Sequence, residues 1–313
     1  MLALLSAASF AMSHVVSKRG LQDTSITAGV IVILTCAWLV VSVSAIGELP
    51  VTLSTRTMVI FAVSGLFAPG IARGAALAGV HVLGPSIAVP IQQGLRPLIV
   101  LPAAAVVLGE GFGPLRVAGA VVIVTGGWIL SRPPNGETGD SPKVSVGEDA
   151  AVLDVGGSMP SRIQRRARAV VRRLRPGVVY PVVAAFAYST SDVLVKSGLD
   201  TESAPALGAA ISSGTGLLMW YLAHALPSVR KRFRIGRHGG WLVISGALAG
   251  LAILFLFRAL DRGEVSLVAP IVATQPLFVF MFSTLILRHL EQLDRSTIVA
   301  GVLVVIGVIL VSL

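Results

Sequence analysis

The side chains best suited to bind a polar molecule are basic and amide groups that lie inside long apolar stretches. Gln92 and Gln93 precede Arg96 by four and three residues, so a helix would place the three side chains on one face. Arg73 lies in another apolar stretch, shortly after Pro69. Guanidinium and amide groups hydrogen-bond polar and anionic molecules. The pattern therefore indicates a binding site.

A second group of polar side chains occurs in a later apolar stretch, where Thr274 and Gln275 reach a depth comparable to that of the glutamines. We predict that the stretches 84–107 and 265–287 line the path of a substrate. The alternative is that these side chains only join neighbouring helices. Prolines are expected to disrupt the first stretch and to free carbonyl groups beside its polar side chains: Pro90, Pro97 and Pro102.

Two titratable side chains are candidates for moving a proton. Asp192 is the only acidic residue well inside a predicted helix, and His14 occupies the equivalent position earlier in the chain. Either group is suited to relay a coupling proton. The alternative for Asp192 is an ion pair with Lys196, one helical turn away, or with Arg73. Tyr188 adds a hydroxyl near Asp192 and is a candidate substrate contact, although hydroxyls in membrane helices commonly bond local carbonyls.

The apolar stretches that carry these side chains are suited to a lipid bilayer. Of the 313 residues 54% are hydrophobic and only 13% are charged, and the mean hydropathy is +0.85. About 20 apolar residues in a helix cross a hydrocarbon core, where an ionisable side chain is costly and so is a functional candidate. We expect an all-α polytopic membrane protein with ten transmembrane helices, at about 2–18, 25–46, 58–80, 84–107, 114–131, 177–197, 205–226, 239–260, 265–287 and 297–313.

The two groups of five helices resemble each other in sequence. SHVVSKRGL at 13–21 aligns with SDVLVKSGL at 191–199, and VSG at 63–65 aligns with ISG at 244–246. Later pairs follow in the same order: Ser86 with Ser266, Pro90 with Pro270, Glu110 with Glu291, and Gly119 with Gly301. Because five is an odd number, the second copy must enter the membrane from the opposite side. The sequence therefore predicts two inverted five-helix repeats, an arrangement typical of transporters.

A polar segment divides the two predicted repeats. We assign 1–131 to the first repeat, 132–176 to an Arg-rich linker and 177–313 to the second repeat. Residues 162–175 have apolar side chains at helical spacing with arginines between them, which suits a helix that meets anionic lipid headgroups. A solvated cytoplasmic helix is the alternative.

Loop charge predicts the orientation. Most of the 25 Lys and Arg residues fall in loops on one side, including the linker and 227–238. The positive-inside rule places these loops in the cytoplasm and both termini outside. We expect a multi-pass protein of the plasma (inner) membrane.

The sequence resembles the drug/metabolite transporter superfamily, in particular its ten-helix EamA-type members, over nearly the whole chain except the linker. LGEGFGPLRVAGAVVIVTGG at 108–127 and LEQLDRSTIVAGVLVVIGVIL at 290–310 both resemble the family pattern of a glutamate, a short turn and a glycine-punctuated helix. Lys18 and Lys196, which close a helix in each half, are also similar to the family. The resemblance implies a transporter of small organic metabolites.

The chain also departs from family patterns. Small four-helix multidrug exporters of the superfamily have a glutamate eight residues before the lysine, where this chain has Phe10 and Tyr188. Proton-for-drug exchange through that carboxylate therefore does not carry over. An arginine early in the second helix of each half, common in the family, is also lacking. Family members of this length commonly keep both termini in the cytoplasm, contrary to the charge distribution.

We therefore predict a secondary active transporter, with export as the expected direction. Two arginines and one acid inside the membrane predict a net positive cavity and a substrate that is anionic or zwitterionic. A non-transporting binding or regulatory membrane protein of the same fold is the alternative. A membrane-embedded enzyme is disfavoured because the chain has no carboxylate cluster or nucleophile motif. We expect no cofactor, no metal and no nucleic-acid partner, and the sequence leaves a homodimer open.

Overall fold

The structure, a computed structural model, describes most of the chain. The described residues are 1–111, 113–130, 177–226 and 233–286, together with residues 303, 306, 307 and 310. Within these residues the regular secondary structure is helical, and no strand occurs. Several sequence predictions lie outside the described residues: the linker, its helix at 162–175, Glu291 and Gly301. Most of the last predicted helix, 297–313, lies outside them as well.

Helices occupy the predicted segments of the first half with small shifts at their ends. The third predicted helix is longer than expected and contains a π-helical segment, Leu66–Ala72. The helices are α1 (Leu2–Gly20), α2 (Ile26–Ile46), α3 (Thr55–Gly65), α4 (Arg73–Leu83), α5 (Pro85–Leu108) and α6 (Pro114–Leu130).

The second half follows the same order of long helices. A single 3₁₀ turn, Arg237–Gly239, leads into its third long helix. The helices are α7 (Val179–Thr201), α8 (Pro205–Ala225), α9 (Gly240–Arg262), α10 (Val265–Val272) and α11 (Gln275–Ile286). Among the described residues, six helical segments are long and apolar enough to cross a bilayer, which fits a membrane protein.

Local sequence sets where several helices begin. The Ser25 hydroxyl accepts a hydrogen bond from the backbone N–H of Ala28 at 3.3 Å, and so caps α2. Ser54 caps α3 in the same way, through the N–H of Thr57. Pro205 occupies the first turn of α8, where a missing N–H costs nothing. These residues satisfy or remove donors that would otherwise be unpaired at a helix start.

The prolines act differently from the sequence prediction. Pro90, Pro97 and Pro102 do not break α5, which is continuous from Pro85 to Leu108. The break comes instead in the equivalent stretch of the second half, where two turn residues separate α10 from α11 at 273–274. Neighbouring helices stabilise proline-containing membrane helices, so proline content alone did not locate the interruption.

The helices of one half pack mainly against helices of the other half. In the largest contacts α1 lies against α9, α2 against α8 and α9, α3 against α7 and α8, and α5 against α7. Glycines allow the closest approaches. A Cβ at Gly246 would lie 2.8 Å from the Ile33 carbonyl oxygen of α2, and one at Gly65 would overlap the backbone of Ser212 in α8. Small residues at such contacts let membrane helices pack tightly.

Carboxylates join the halves at one end of the helices. Glu48 accepts hydrogen bonds from the N–H groups of Ala206 and Leu207 at the start of α8, at 2.9 to 3.0 Å. Glu202 accepts one from the N–H of Ser54 at 2.9 Å, and this backbone hydrogen bond lowers the pKa of Glu202. A negative charge at a helix N-terminus is stabilising. These contacts close this end of the bundle.

A different contact joins the halves at the opposite end. The Asp23 carboxylate lies 3.0 Å from Nδ1 of His238, so the loop after α1 meets the segment before α9. The Ser25 N–H donates to the carbonyl of Arg234 in the same region at 2.9 Å. Both ends of the bundle are therefore held by hydrogen bonds between the halves.

Candidate functional site

A buried cavity lies midway along the helices, between the two halves. Its wall is formed by the π-helical segment and by eight of the helices, α1, α2, α4, α5, α7, α8, α9 and α11, and most of that wall is apolar. The predicted site residues that line it are His14, Arg73, Gln92, Gln93, Arg96, Tyr188, Asp192 and Gln275. The structure thus brings together eight side chains that the sequence singled out from five separate helices.

Arg96 and Asp192 form a buried ion pair across α5 and α7. The Arg96 Nε donates to one carboxylate oxygen of Asp192 at 2.8 Å, and Nη2 donates to the other at 2.7 Å. Both residues are less than 5% exposed. The Tyr188 ring lies under the guanidinium, 5.4 Å from its central carbon. This two-point contact is the strongest geometry for a guanidinium and a carboxylate.

The ion pair differs from the partners that the sequence suggested for Asp192. Lys196 bonds Asp200 at 2.8 Å, one turn further along α7. Arg73 forms no ion pair with Asp192 or with Asp200. Arg96 is 96 positions from Asp192 in sequence, so helical spacing gave no sign of this pairing.

Arg73 has a very different environment at the start of α4. Its Nη2 donates to the Ser13 hydroxyl at 3.0 Å, while its Nε and Nη1 are buried without a hydrogen-bond partner. The side chain is only 3% exposed. In the described part of the chain it has no acidic partner. A buried guanidinium with unpaired N–H groups is costly, and here it lines a cavity.

His14 and Ser13 complete the surroundings of Arg73. The Ser13 hydroxyl donates to the Ser245 carbonyl at 2.9 Å, so it faces Arg73 as an acceptor. The next residue, His14, is 2% exposed, and its Nδ1 has no hydrogen-bond partner. It lies close enough to Arg73 for an electrostatic interaction with the guanidinium. Sequence reasoning missed the role of Ser13. Its alignment with Ser191, which lines the cavity, was the available signal.

An amide pair joins α5 to α11. Gln93 Nε2 donates a hydrogen bond to Gln275 Oε1. The remaining amide atoms, Gln93 Oε1 and Gln275 Nε2, are buried without partners. The break before α11 makes Gln275 the first residue of its helix. The pair therefore presents one spare acceptor and one spare donor close to the cavity.

Two polar side chains near the cavity make hydrogen bonds to backbone carbonyls. Thr274 is buried but does not line the cavity, because its hydroxyl donates to the Ile271 carbonyl at 2.8 Å. It satisfies its own helix end, as hydroxyls in membrane helices commonly do. Ser189, beside Tyr188, donates to the Arg96 carbonyl at 3.3 Å. The alternative in which a polar side chain joins neighbouring helices therefore describes Ser189, whereas Thr274 makes only a local hydrogen bond.

Comparison with known proteins identifies the family. The model of the EamA-like transporter family matches residues 1–132 and 175–313. The chain belongs to the EamA-like transporter family. This membership places it in the drug/metabolite transporter superfamily and confirms the resemblance stated from the sequence. Family members are membrane transporters of small molecules and are normally not enzymes.

Solved structures support the fold of this EamA-like protein. One of them, titled only "Crystal structure of protein", aligns with a TM-score of 0.66 and 16% sequence identity, and the alignment covers 98% of each chain. At this identity the likeness shows the fold. No functionally curated protein matches the sequence. The cavity itself must therefore indicate what this EamA-like transporter carries.

Proposed function

We propose that this EamA-like protein is a secondary active transporter that moves small organic anions or zwitterions by alternating access. The observation that carries the proposal is the cavity between the halves, which is walled by apolar side chains and contains buried guanidinium and amide groups without partners. Unpaired polar groups are unfavourable in lipid. A bound solute would satisfy them.

Two inverted five-helix repeats, 1–131 and 177–313, with ten transmembrane helices in all, remain part of the proposal. The packing supports them, because exchanging the halves turns the α1–α9 contact into the α7–α3 contact. The close glycine contacts follow the same exchange: Gly65 approaches Ser212 of α8, and Gly246 approaches Ile33 of α2. Inverted repeats give two conformations of similar energy around a fixed central site.

The closed ends fit an occluded state of such a cycle. Glu48 and Glu202 hold one end, and Asp23 with His238 holds the other. Under the proposed exchange of halves, the loops that form one closure are equivalent to the loops that form the other. Alternating access would then break one set of contacts while the other stays intact.

The membrane and the orientation are also proposed. The end that carries Lys18, Arg19 and Arg237 is richer in basic residues, and we assign it, with the linker, to the cytoplasmic side of the plasma (inner) membrane. Residues 162–175 would meet anionic headgroups. Export is the proposed direction, in line with the family resemblance; a homodimer stays a prediction from the sequence.

Counterflow in proteoliposomes tests the function. Metabolites are first screened for those that raise the melting temperature of the purified protein. A radiolabelled form of the best ligand is then offered outside liposomes that contain the unlabelled form. Transient accumulation above equilibrium is expected, whereas protein-free liposomes should show none. Binding without accumulation would instead indicate a non-transporting binding protein of the same fold.

A further inference from the structure

The charges that line the cavity leave one cation without a counter-charge. Arg96 is matched by Asp192 through two hydrogen bonds at 2.7 and 2.8 Å. Among the described carboxyl, guanidinium and ammonium groups on the cavity wall, only Arg73 lacks a partner of opposite charge. The wall thus has a surplus of one positive charge at Arg73, although the sequence had emphasised Arg96.

The hydrogen bonds around Arg73 use only part of its donor capacity. Ser13 takes one hydrogen of Nη2, while Nε and Nη1 have no partner. A guanidinium offers two edges, each with a pair of parallel N–H groups, and Nη2 shares one hydrogen with each edge. Tyr188 also lies close enough to interact with the guanidinium, but Nε and Nη1 form no hydrogen bond, so whichever edge Ser13 occupies, the other still has N–H groups available. That is the geometry that binds a carboxylate through both oxygens.

The rest of the cavity wall limits the charge and polarity of the ligand that carries the carboxylate. Apolar side chains from α1, α2 and α9 face the cavity: Phe10, Leu34, Ile253, Leu256 and Phe257. A second charge on the ligand would find no counter-charge among them and would be costly to bury. The spare donor and acceptor of Gln93 and Gln275 are neutral. They suit at most one uncharged polar group on the ligand body.

We infer that Arg73 anchors the carboxylate of an organic monoanion with an apolar body, and that Arg96 is a structural partner of Asp192 and does not bind the charged group. This assignment rests on the proposed function, because it names the solute of the same cavity. The ligand carboxylate supplies the counter-charge that the protein does not, and it bonds the free N–H groups of Arg73.

Ligand-induced stabilisation of the full-length protein in detergent tests the assignment. The probes are phenylacetate, its neutral isostere phenylacetamide and the dianion phenylmalonate, with isovalerate as a second monoanion. Wild type should be stabilised by a monoanion, less by phenylmalonate and not by phenylacetamide. Arg73→Gln should weaken monoanion binding about 10- to 100-fold, the effect of losing a charge-assisted hydrogen bond.

Two variants serve as comparisons. Arg258→Gln removes an arginine that bonds Ser44 away from the cavity, and it should bind the monoanion as wild type does. Arg96→Gln combined with Asp192→Asn removes the ion pair without leaving a buried charge, and it should still prefer phenylacetate to phenylacetamide. Loss of this preference in the double variant, with retention in Arg73→Gln, would overturn the assignment. Equal stabilisation of wild type by phenylacetamide, or no response to either monoanion, would overturn it too.

Chemical modification keeps the test valid if Arg73→Gln does not fold. Wild-type protein is treated with phenylglyoxal, which reacts with free guanidinium groups, and the products are mapped by mass spectrometry. Arg73 should be modified, and phenylacetate should protect it, while Arg96 stays unmodified. Modification of Arg96 alone, or of neither arginine, would contradict the inference.

Transport and binding separate this inference from the proposed function. Monoanion binding that depends on Arg73, without counterflow of labelled phenylacetate or isovalerate, would refute transport of these solutes and leave the site assignment standing. Counterflow of a solute that is unaffected by Arg73→Gln would support transport and refute the assignment of Arg73 as the carboxylate anchor.

Discussion

Two arginines of this transporter are almost equally buried, and they have opposite surroundings. Arg96 on α5 bonds Asp192 at two points and lies over the Tyr188 ring. Arg73 at the start of α4 has one hydroxyl partner and two buried N–H groups with none. Both are no more than 3% exposed. The two arginines therefore differ in their partners, since their burial and residue type are the same.

On the proposed assignment, Arg96 stabilises the bundle and Arg73 is available to bind a ligand. Removing one member of a buried ion pair leaves an uncompensated charge. Removing a charged group that has no counter-charge leaves no uncompensated charge behind. Stability measurements should therefore rank cavity residues by how completely they are paired, whereas binding measurements should rank them in nearly the opposite order.

The largest loss of stability is expected for Arg96→Gln. Asp192 would be buried without its partner, which costs about 3 to 5 kcal/mol. Unfolding of the purified protein in mixed micelles measures the change. Adding Asp192→Asn should recover most of the loss, because the second substitution removes the stranded charge. A single variant as stable as wild type would break the distinction between the arginines.

A smaller loss is expected for Gln275→Leu, which strands the amide of Gln93. The unpaired Nε2 group should cost about 1 to 3 kcal/mol. The matched control is Gln92→Leu, since Gln92 lines the cavity without a bond to Gln275. The same unfolding assay compares them, and equal losses would show that the α5–α11 amide pair contributes nothing specific.

Ser13→Ala should cost about 1 kcal/mol, the typical net contribution of a hydrogen bond. The variant loses the bond to the Ser245 carbonyl and the hydroxyl that accepts from Nη2 of Arg73. Ser17→Ala is the control, because its hydroxyl bonds only its own helix, at the His14 carbonyl. Monoanion binding should be retained in Ser13→Ala, and its loss would assign Ser13 a direct role.

The smallest change in stability is expected for Arg73→Met, because methionine has a long side chain without a charge. No acidic partner is stranded, so stability should change by less than about 0.5 kcal/mol or increase. Arg73→Lys keeps the charge but not the two-point geometry, and it should bind phenylacetate more weakly than wild type. A loss in Arg73→Met as large as that in Arg96→Gln would mean that Arg73 has a structural counter-charge.

Much of the fold followed from hydropathy. The predicted helix 84–107 is Pro85–Leu108 in the structure, and 205–226 is Pro205–Ala225. The π-helical segment at Leu66–Ala72 and the break at 273–274 did not follow. Each depends on how neighbouring helices satisfy backbone groups beside a proline, and the local sequence does not contain that information.

Sequence reasoning selected several of the side chains that line the cavity, but not the hydrogen bonds between them. The cost of placing polar groups in lipid is enough to single out Arg73, Arg96 and Asp192 from their positions in apolar stretches. Thr274 met the same criterion but bonds its own helix. A polar side chain in an apolar stretch can find its hydrogen-bond partner in its own helix, in another helix or in a ligand. The residues around it in the folded structure determine which of these it bonds.

The sequence by itself determined that the chain is a membrane protein, where most of its described helices lie and which polar side chains interrupt their apolar stretches, because a hydrocarbon core admits only long apolar segments with internal hydrogen bonds. Tertiary structure alone decided that Asp192 neutralises Arg96 and leaves Arg73 unmatched. Electrostatic pairing depends on distance in space, and the two members of the ion pair lie 96 positions apart in the chain.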